Sequence, residues 1–206
     1  MKLFFTLLLL SRCYFLKAQT TYSTIGVTSS WYIPETSQPI HYNGDNAVSG
    51  GIFGEHYFKN HFKLKVGVNY YLNAYNEKFL DTSKAPKIYT YNATEKFITL
   101  PFEAAYNFMR GDEKWEFFVD AGYVAFIHLK THIGDFTDNY ALTPYNSKLS
   151  YRNAHYFTVG FSGRYKFTQK WLAGFGTKSY HFLPVINKES RGFPSISIDV
   201  SMAYAF

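Results

Sequence analysis

The sequence has almost no cysteine, since Cys13 is the only one among 206 residues. A disulfide needs two thiols and a cysteine-based metal site needs several, so neither can form within one chain. Runs of basic residues are also missing, although the formal net charge is +6. Nucleic-acid-binding domains gather Lys and Arg on one face, so the scattered charge predicts no nucleic-acid partner.

Long apolar runs are missing as well. The longest run, Leu3 to Leu10, follows Lys2 and includes one Thr. It is shorter than the ~20 residues that a membrane-spanning helix needs. A basic start followed by a short apolar core is typical of a secretory signal peptide. We therefore expect residues 1–18 to be a signal peptide cleaved after Ala18, leaving a single domain over residues 19–206.

Aromatic residues, in contrast, are abundant at 21% of the chain, although the mean hydropathy is −0.21. Between Ser195 and Phe206 every even position is apolar and every odd position is small or polar. Such alternation predicts a strand with one apolar face. Further alternating runs lie at residues 62–72, 98–108, 117–129 and 155–167, and less regular ones at 21–33, 47–58 and 171–182. The sequence thus predicts about eight strands.

The connections between these runs alternate in length. Residues 59–61, 109–114 and 168–170 are short turns, whereas residues 34–46, 77–92, 131–153 and 183–193 are long and polar. Short turns at one end and long loops at the other are typical of bacterial outer-membrane barrels. We predict an all-β fold, an antiparallel up-and-down transmembrane β-barrel of about eight strands, with both termini in the periplasm. The alternative is a soluble lipocalin-like barrel that binds a ligand.

The stretch from Phe97 to Phe108 resembles a recurring strand of the Bacteroidetes outer-membrane β-barrel family, which includes PorT-like and porin-family proteins. Leu100-Pro101-Phe102 and Tyr106-Asn107-Phe108 carry the likeness. The resemblance implies a barrel in the bacterial outer membrane and fixes no activity. Pro101 cannot donate a ladder hydrogen bond, so within a strand it predicts a bulge or a locally broken pair.

The predicted inward faces carry many charges. An eight-stranded barrel is just wide enough for side chains to fill it, and buried charges must be paired. We predict a lumen network in which Arg164 and Lys65 bridge Glu55, Glu103 and Asp120, with Asp199 nearby. Lys63, Asn69, Lys166 and Lys178 are expected to face inward too. The network either holds the barrel together or forms a gated polar path, so a narrow porin-like channel remains the alternative.

The sequence shows no spacing that joins a nucleophile, a base and an orienting group. We therefore predict no catalytic residue, no metal site and no cofactor, and a protein that is not an enzyme. The expected partners are outer-membrane lipid, lipopolysaccharide and the barrel-assembly machinery, the last through Val200, Met202, Tyr204 and Phe206. The long loops could bind an extracellular ligand through Lys78, Lys84, Lys87, Tyr140, Tyr145, Lys148, Tyr151 and Arg152.

Deletion of Phe206 should lower the amount of barrel in the outer membrane, because the assembly machinery is expected to read the closing strand. The measurement is the heat-modifiable band in outer-membrane fractions. Ser201→Ala, on the opposite face of the same strand, is the matched control and should assemble normally. Unchanged membrane levels of the truncated chain would contradict the predicted assembly signal.

Overall fold

Eight β-strands form a closed barrel. The computed structural model describes residues 20–34, 42–58, 61–81, 87–109, 114–133, 153–183 and 194–206. Each strand is antiparallel to its neighbours in chain order, and β8 pairs with β1. This confirms the predicted fold class and strand number. The strands are β1 Thr20–Pro34, β2 Tyr42–Phe58, β3 Phe62–Asp81, β4 Lys87–Asn107, β5 Trp115–Ile133, β6 Ala154–Lys166, β7 Trp171–Phe182 and β8 Pro194–Ala205.

The alternation of residue types separates the two faces of the barrel wall. On β1, Ile25, Val27 and Trp31 point outward, whereas Thr24 and Tyr32 are buried inside. Large apolar side chains that are 37–74% exposed cover the outside of all eight strands. An apolar exterior around an interior that holds the charged side chains suits a barrel surrounded by lipid and argues against the soluble alternative. No helix in the described part of the chain is long and apolar enough to cross a bilayer.

The first five strands are longer than the alternating runs that predict them, whereas β6, β7 and β8 match theirs within one residue. The strands have 12 to 21 residues each. The predicted loops at 34–46, 77–92 and 131–153 are therefore wrong at their edges. β2 begins at Tyr42, β3 ends at Asp81, β4 begins at Lys87 and β5 ends at Ile133. Backbone pairing needs no apolar face, so hairpins continue into polar sequence that alternation does not reveal. The predicted signal peptide and the remaining loop residues lie outside the described ranges.

The seam between β1 and β8 runs from Thr24↔Ala205 to Pro34↔Pro194. Two backbone hydrogen bonds extend it to the last residue: the Phe206 amide donates to the Ser23 carbonyl at 3.0 Å, and the Ser23 amide donates to the Phe206 carbonyl at 3.4 Å. Val200, Met202 and Phe206 are exposed on the outside. The final strand is thus the element that closes the barrel.

The two ends of the barrel differ. We call the end that contains the 59–61, 109–114 and 168–170 connections the turn end, and the opposite end the loop end. In the third of these turns, the hydroxyl of Thr168 accepts hydrogen bonds from the amides of Lys170 and Trp171, at 3.2 and 3.0 Å. In the first, His61 adopts a φ of 64°, a left-handed conformation that permits the tight reversal.

Pro101 interrupts the ladder between β3 and β4. Their register passes from Val66↔Phe102 to Asn69↔Thr99 without pairing the two positions between, and without a shift. The locally broken pair follows from the missing amide hydrogen of proline. A Cβ atom on Gly67 would lie 3.3 Å from Pro101 Cγ, so glycine gives the ring its space.

Candidate functional site in the barrel lumen

Eight charged side chains gather inside the barrel, and we call them the charge belt. They come from every strand from β2 to β8. Each occupies one of the alternate positions of its strand whose side chains face the lumen. Four are acids and four are bases. The members are Glu55, Lys63, Lys65, Glu103, Asp120, Arg164, Lys178 and Asp199.

Glu55 is the first centre of the belt. Its carboxylate forms ion pairs with Arg164 and with Lys63, the latter at 3.4 Å. It also accepts hydrogen bonds from the hydroxyls of Thr24 at 3.1 Å and Tyr57 at 3.0 Å. A buried carboxylate is tolerated when cations and donors surround it in this way. Glu55 therefore links four strands, β1, β2, β3 and β6.

Glu103 is the second centre. Its carboxylate contacts Lys178 Nζ at 2.5 Å and Lys65 Nζ at 3.9 Å. Lys178 also contacts Asp199 at 3.3 Å, so one ammonium joins β4, β7 and β8 across the lumen. The side chains of Glu103 and Lys178 are at most 10% exposed. Together the two centres connect all eight strands except β5.

Asp120 on β5 is placed differently from the prediction. The expected bridges from Arg164 or Lys65 to Asp120 are not among the ion pairs that the described residues form. The register gives the reason. Lys65 lies directly opposite both Glu55 and Glu103, whereas the cross-strand neighbours of Asp120 are Ala105 and Gly160. Asp120 lines the same cavity without joining either centre.

Two glycines give the long charged side chains room. A Cβ atom on Gly160 would lie 2.7 Å from Lys178 Cγ, and one on Gly122 would lie 2.8 Å from Glu103 Cγ. Each charged stem therefore crosses the backbone of a neighbouring strand at a glycine. A larger residue at either position would displace a cation or a carboxylate of the belt.

An aromatic layer lies on the loop-end side of the belt. Tyr71 and Phe126 are at its centre, with ring centroids 5.2 Å apart in an edge-to-face contact. Phe97 and Phe126 have no solvent-exposed surface, and Tyr71 is 1% exposed. Rings from six strands meet here, so the layer spans the lumen. Its members, which we call the loop-end layer, are Tyr32, Tyr71, Phe97, Phe126, Tyr156 and Tyr180.

A smaller aromatic group lies on the turn-end side. Tyr22 stacks on Tyr57 with centroids 4.2 Å apart, and Tyr57 meets Phe118 at 6.3 Å. Lys63 Nζ lies 4.0 Å above the Phe118 ring, and the Arg164 guanidinium lies 4.9 Å from the Tyr57 ring. These cation–π contacts couple the group to the belt. We call Tyr22, Tyr57 and Phe118 the turn-end layer.

Sequence reasoning missed part of this arrangement. Glu116 is absent from the predicted inward set, yet it pairs with Lys166 at 2.8 Å near the turn end. It shares the inward face of β5 with Phe118 and Asp120, so extending that alternation would have found it. Lys178 is predicted to face inward, but its central place depends on distances between strands that alternation does not give.

The outer wall carries two Ser–His contacts. Ser23 Oγ lies 2.8 Å from His56 Nδ1, and Ser179 Oγ lies 3.1 Å from His181 Nε2. Ser179 already donates to the Val159 carbonyl. Among the described side chains, no carboxylate hydrogen-bonds to either imidazole, so a catalytic triad is not assembled. Among the described residues, no three His, Cys, Asp or Glu side chains are placed so that together they could hold a metal ion.

Comparisons with known proteins agree with this architecture. Residues 18–140 match the model of a family described as outer membrane protein beta-barrel domain. The N-terminal β-barrel domain of Pseudomonas aeruginosa OprF is similar, with a TM-score of 0.50 and 11% identity over 91% of this chain and 100% of that one. At this identity the likeness shows the fold alone.

Two further solved structures are similar at lower scores. Escherichia coli Outer Membrane Protein W has a TM-score of 0.47 and 14% identity, over 91% of this chain and 99% of its own. Pseudomonas aeruginosa OprG has a TM-score of 0.47 and 10% identity, over 92% and 97%. No curated protein sequence matches the chain.

Removing the charge of Glu55 should destabilise the barrel strongly. Glu55→Gln leaves Arg164 and Lys63 without their buried counter-charge, which typically costs about 3–5 kcal/mol. Glu116→Gln is the matched control, because its partner Lys166 is 29% exposed and such pairs contribute at most about 1 kcal/mol. The measurement is the free energy of unfolding in urea for the lipid-inserted protein. Equal losses of unfolding free energy in the two variants would contradict the larger contribution expected from the Glu55 ion pairs.

Proposed function

Because this chain belongs to the outer membrane protein β-barrel domain family, we propose that it is a non-conducting, non-enzymatic barrel of the bacterial outer membrane. Its role is structural, or it presents its loops to a ligand. Its finer place in the family, beside the PorT-like proteins of Bacteroidetes, rests on the resemblance around Leu100-Pro101-Phe102.

The packing of the lumen supports the proposal that the barrel does not conduct ions. A conducting barrel needs a continuous aqueous path, but Phe97 and Phe126 have no exposed surface and Tyr71 has 1%. Their edge-to-face contacts fill the space between the strands that bear them. Beneath this layer the charge belt ties opposite walls together by ion pairs. An ion would have to break both layers to pass.

We infer the orientation and the partners from the two ends of the barrel and from its outer wall. We place the turn end, with both termini, in the periplasm, because short connections face that side in this class of barrel. The apolar exterior would contact lipid, including lipopolysaccharide in the outer leaflet. Val200, Met202, Tyr204 and Phe206 would serve as the assembly signal, and their outward position on the closing strand suits recognition before the seam forms.

A binding role would be carried by the long connections. The candidate residues in them are the basic and aromatic ones of the 77–92 and 131–153 segments. Of these, Lys78 lies on β3 and Lys87 on β4, so they belong to a hairpin and not to a loop. Lys84, Tyr140, Tyr145, Lys148, Tyr151 and Arg152 lie outside the described residues.

The proposal predicts that the purified protein gives no stable single-channel openings in planar lipid bilayers. Among the described residues, two aromatic layers and the charge belt occupy the lumen, so we expect ions to find no continuous aqueous path. Insertion is verified in the same preparation by heat-modifiable gel migration, so that the absence of channel openings cannot be due to failed insertion. Reproducible openings from the inserted wild-type chain would contradict the closed barrel and favour a narrow porin-like channel.

A further inference from the structure

The charge belt surrounds two small cavities. One has a volume of about 30 Å³ and the other about 20 Å³. Five residues line both, so the cavities are neighbours that share a wall. The shared residues are Thr28, Lys65, Glu103, Lys178 and Asp199.

Several polar atoms without hydrogen-bond partners belong to residues that line these cavities. Around the larger one, Asp120 Oδ2 and Arg164 Nη1 have no hydrogen-bond partner among the described residues. Around the smaller one the same holds for Asn69 Oδ1 and Thr99 Oγ1. Asp120, Arg164, Asn69 and Thr99 are all more than nine-tenths buried. Native proteins satisfy nearly all such groups, with ordered water where side chains do not reach.

We propose that the two cavities are binding sites for ordered water, which completes the hydrogen bonding of the charge belt. A water molecule needs about 10–15 Å³ of such space and two to four polar partners. The larger cavity therefore has room for about two molecules and the smaller for about one. Asp120 finds there the partners that its cross-strand neighbours Ala105 and Gly160 do not provide.

Charge balance favours water over an ion. The larger cavity is lined by four carboxylates and four cationic side chains, so their formal charges cancel. A bound metal ion or anion would add a charge that the wall does not neutralise, and burying an unpaired charge is strongly unfavourable. Neutral water can both donate to Asp120 and accept from Arg164. The sites thus suit a ligand that is a donor and an acceptor at once.

This inference rests on the proposed closed lumen, and a crystal structure of the wild-type protein that resolves water tests the two separately. We expect two or three water molecules within hydrogen-bond distance of Asp120, Arg164, Asn69 and Thr99. Direct pairing of these side chains with no water between them would overturn the water sites and leave the closed barrel standing. A continuous file of water reaching both ends would overturn both.

Thr99→Val gives a second test in solution. The change in the unfolding equilibrium constant differs according to whether water binds the Thr99 hydroxyl. If water binds the hydroxyl, its loss should raise the unfolding equilibrium constant about fivefold, the effect of one hydrogen bond. If the hydroxyl is buried without a partner, the apolar substitute should leave that constant unchanged or lower it, and the proposal fails. Thr177→Val, on the exposed outer wall of β7, is the control and should not raise the constant.

Discussion

The pairing of opposite charges inside a narrow barrel is the constraint on which the rest of the structure depends. Eight strands leave a lumen that side chains must fill, and here the inward faces bring ionisable groups from seven strands into one region. An isolated ion there would be strongly unfavourable, so the carboxylates of Glu55 and Glu103 each hold two cations. The registers of the strands that form these ion pairs are therefore fixed twice, once by the backbone ladder and once by the pairing of charges.

The other features support that pairing. Gly122 and Gly160 let the stems of Glu103 and Lys178 cross the neighbouring strands. Rings above and below the belt keep bulk water away, which strengthens the ion pairs in their low-dielectric surroundings. Outside, apolar side chains meet lipid and leave the polar residues to the interior. The same alternation thus separates the membrane face from the charged core along every strand.

Much of this fold could be predicted from the sequence. With lipid on one side of the wall and a crowded lumen on the other, residue types must alternate along each strand with a period of two. Runs such as 155–167 therefore identify both the strand and its inward face. The loop-end limits of β3 and β4 could not be predicted, since these strands continue through polar residues that alternation does not mark. Glu55, Glu103 and Arg164 could be assigned to the lumen from their positions in the alternation of inward and outward side chains alone. The partner of each charge could not, because it depends on register, which places Lys65 opposite two acids and Asp120 opposite none of the bases.

The most direct test of this account is a double-mutant cycle on Glu55 and Arg164 in the lipid-inserted protein. Glu55→Gln and Arg164→Met are measured singly and together by urea unfolding, and the coupling free energy is the departure from additivity. Contacting residues of one buried network typically couple by about 0.5–3 kcal/mol. The account predicts a stabilising coupling above about 1 kcal/mol. Additivity within about 0.3 kcal/mol would show that the pair does not act as a unit and would contradict the central role of charge pairing.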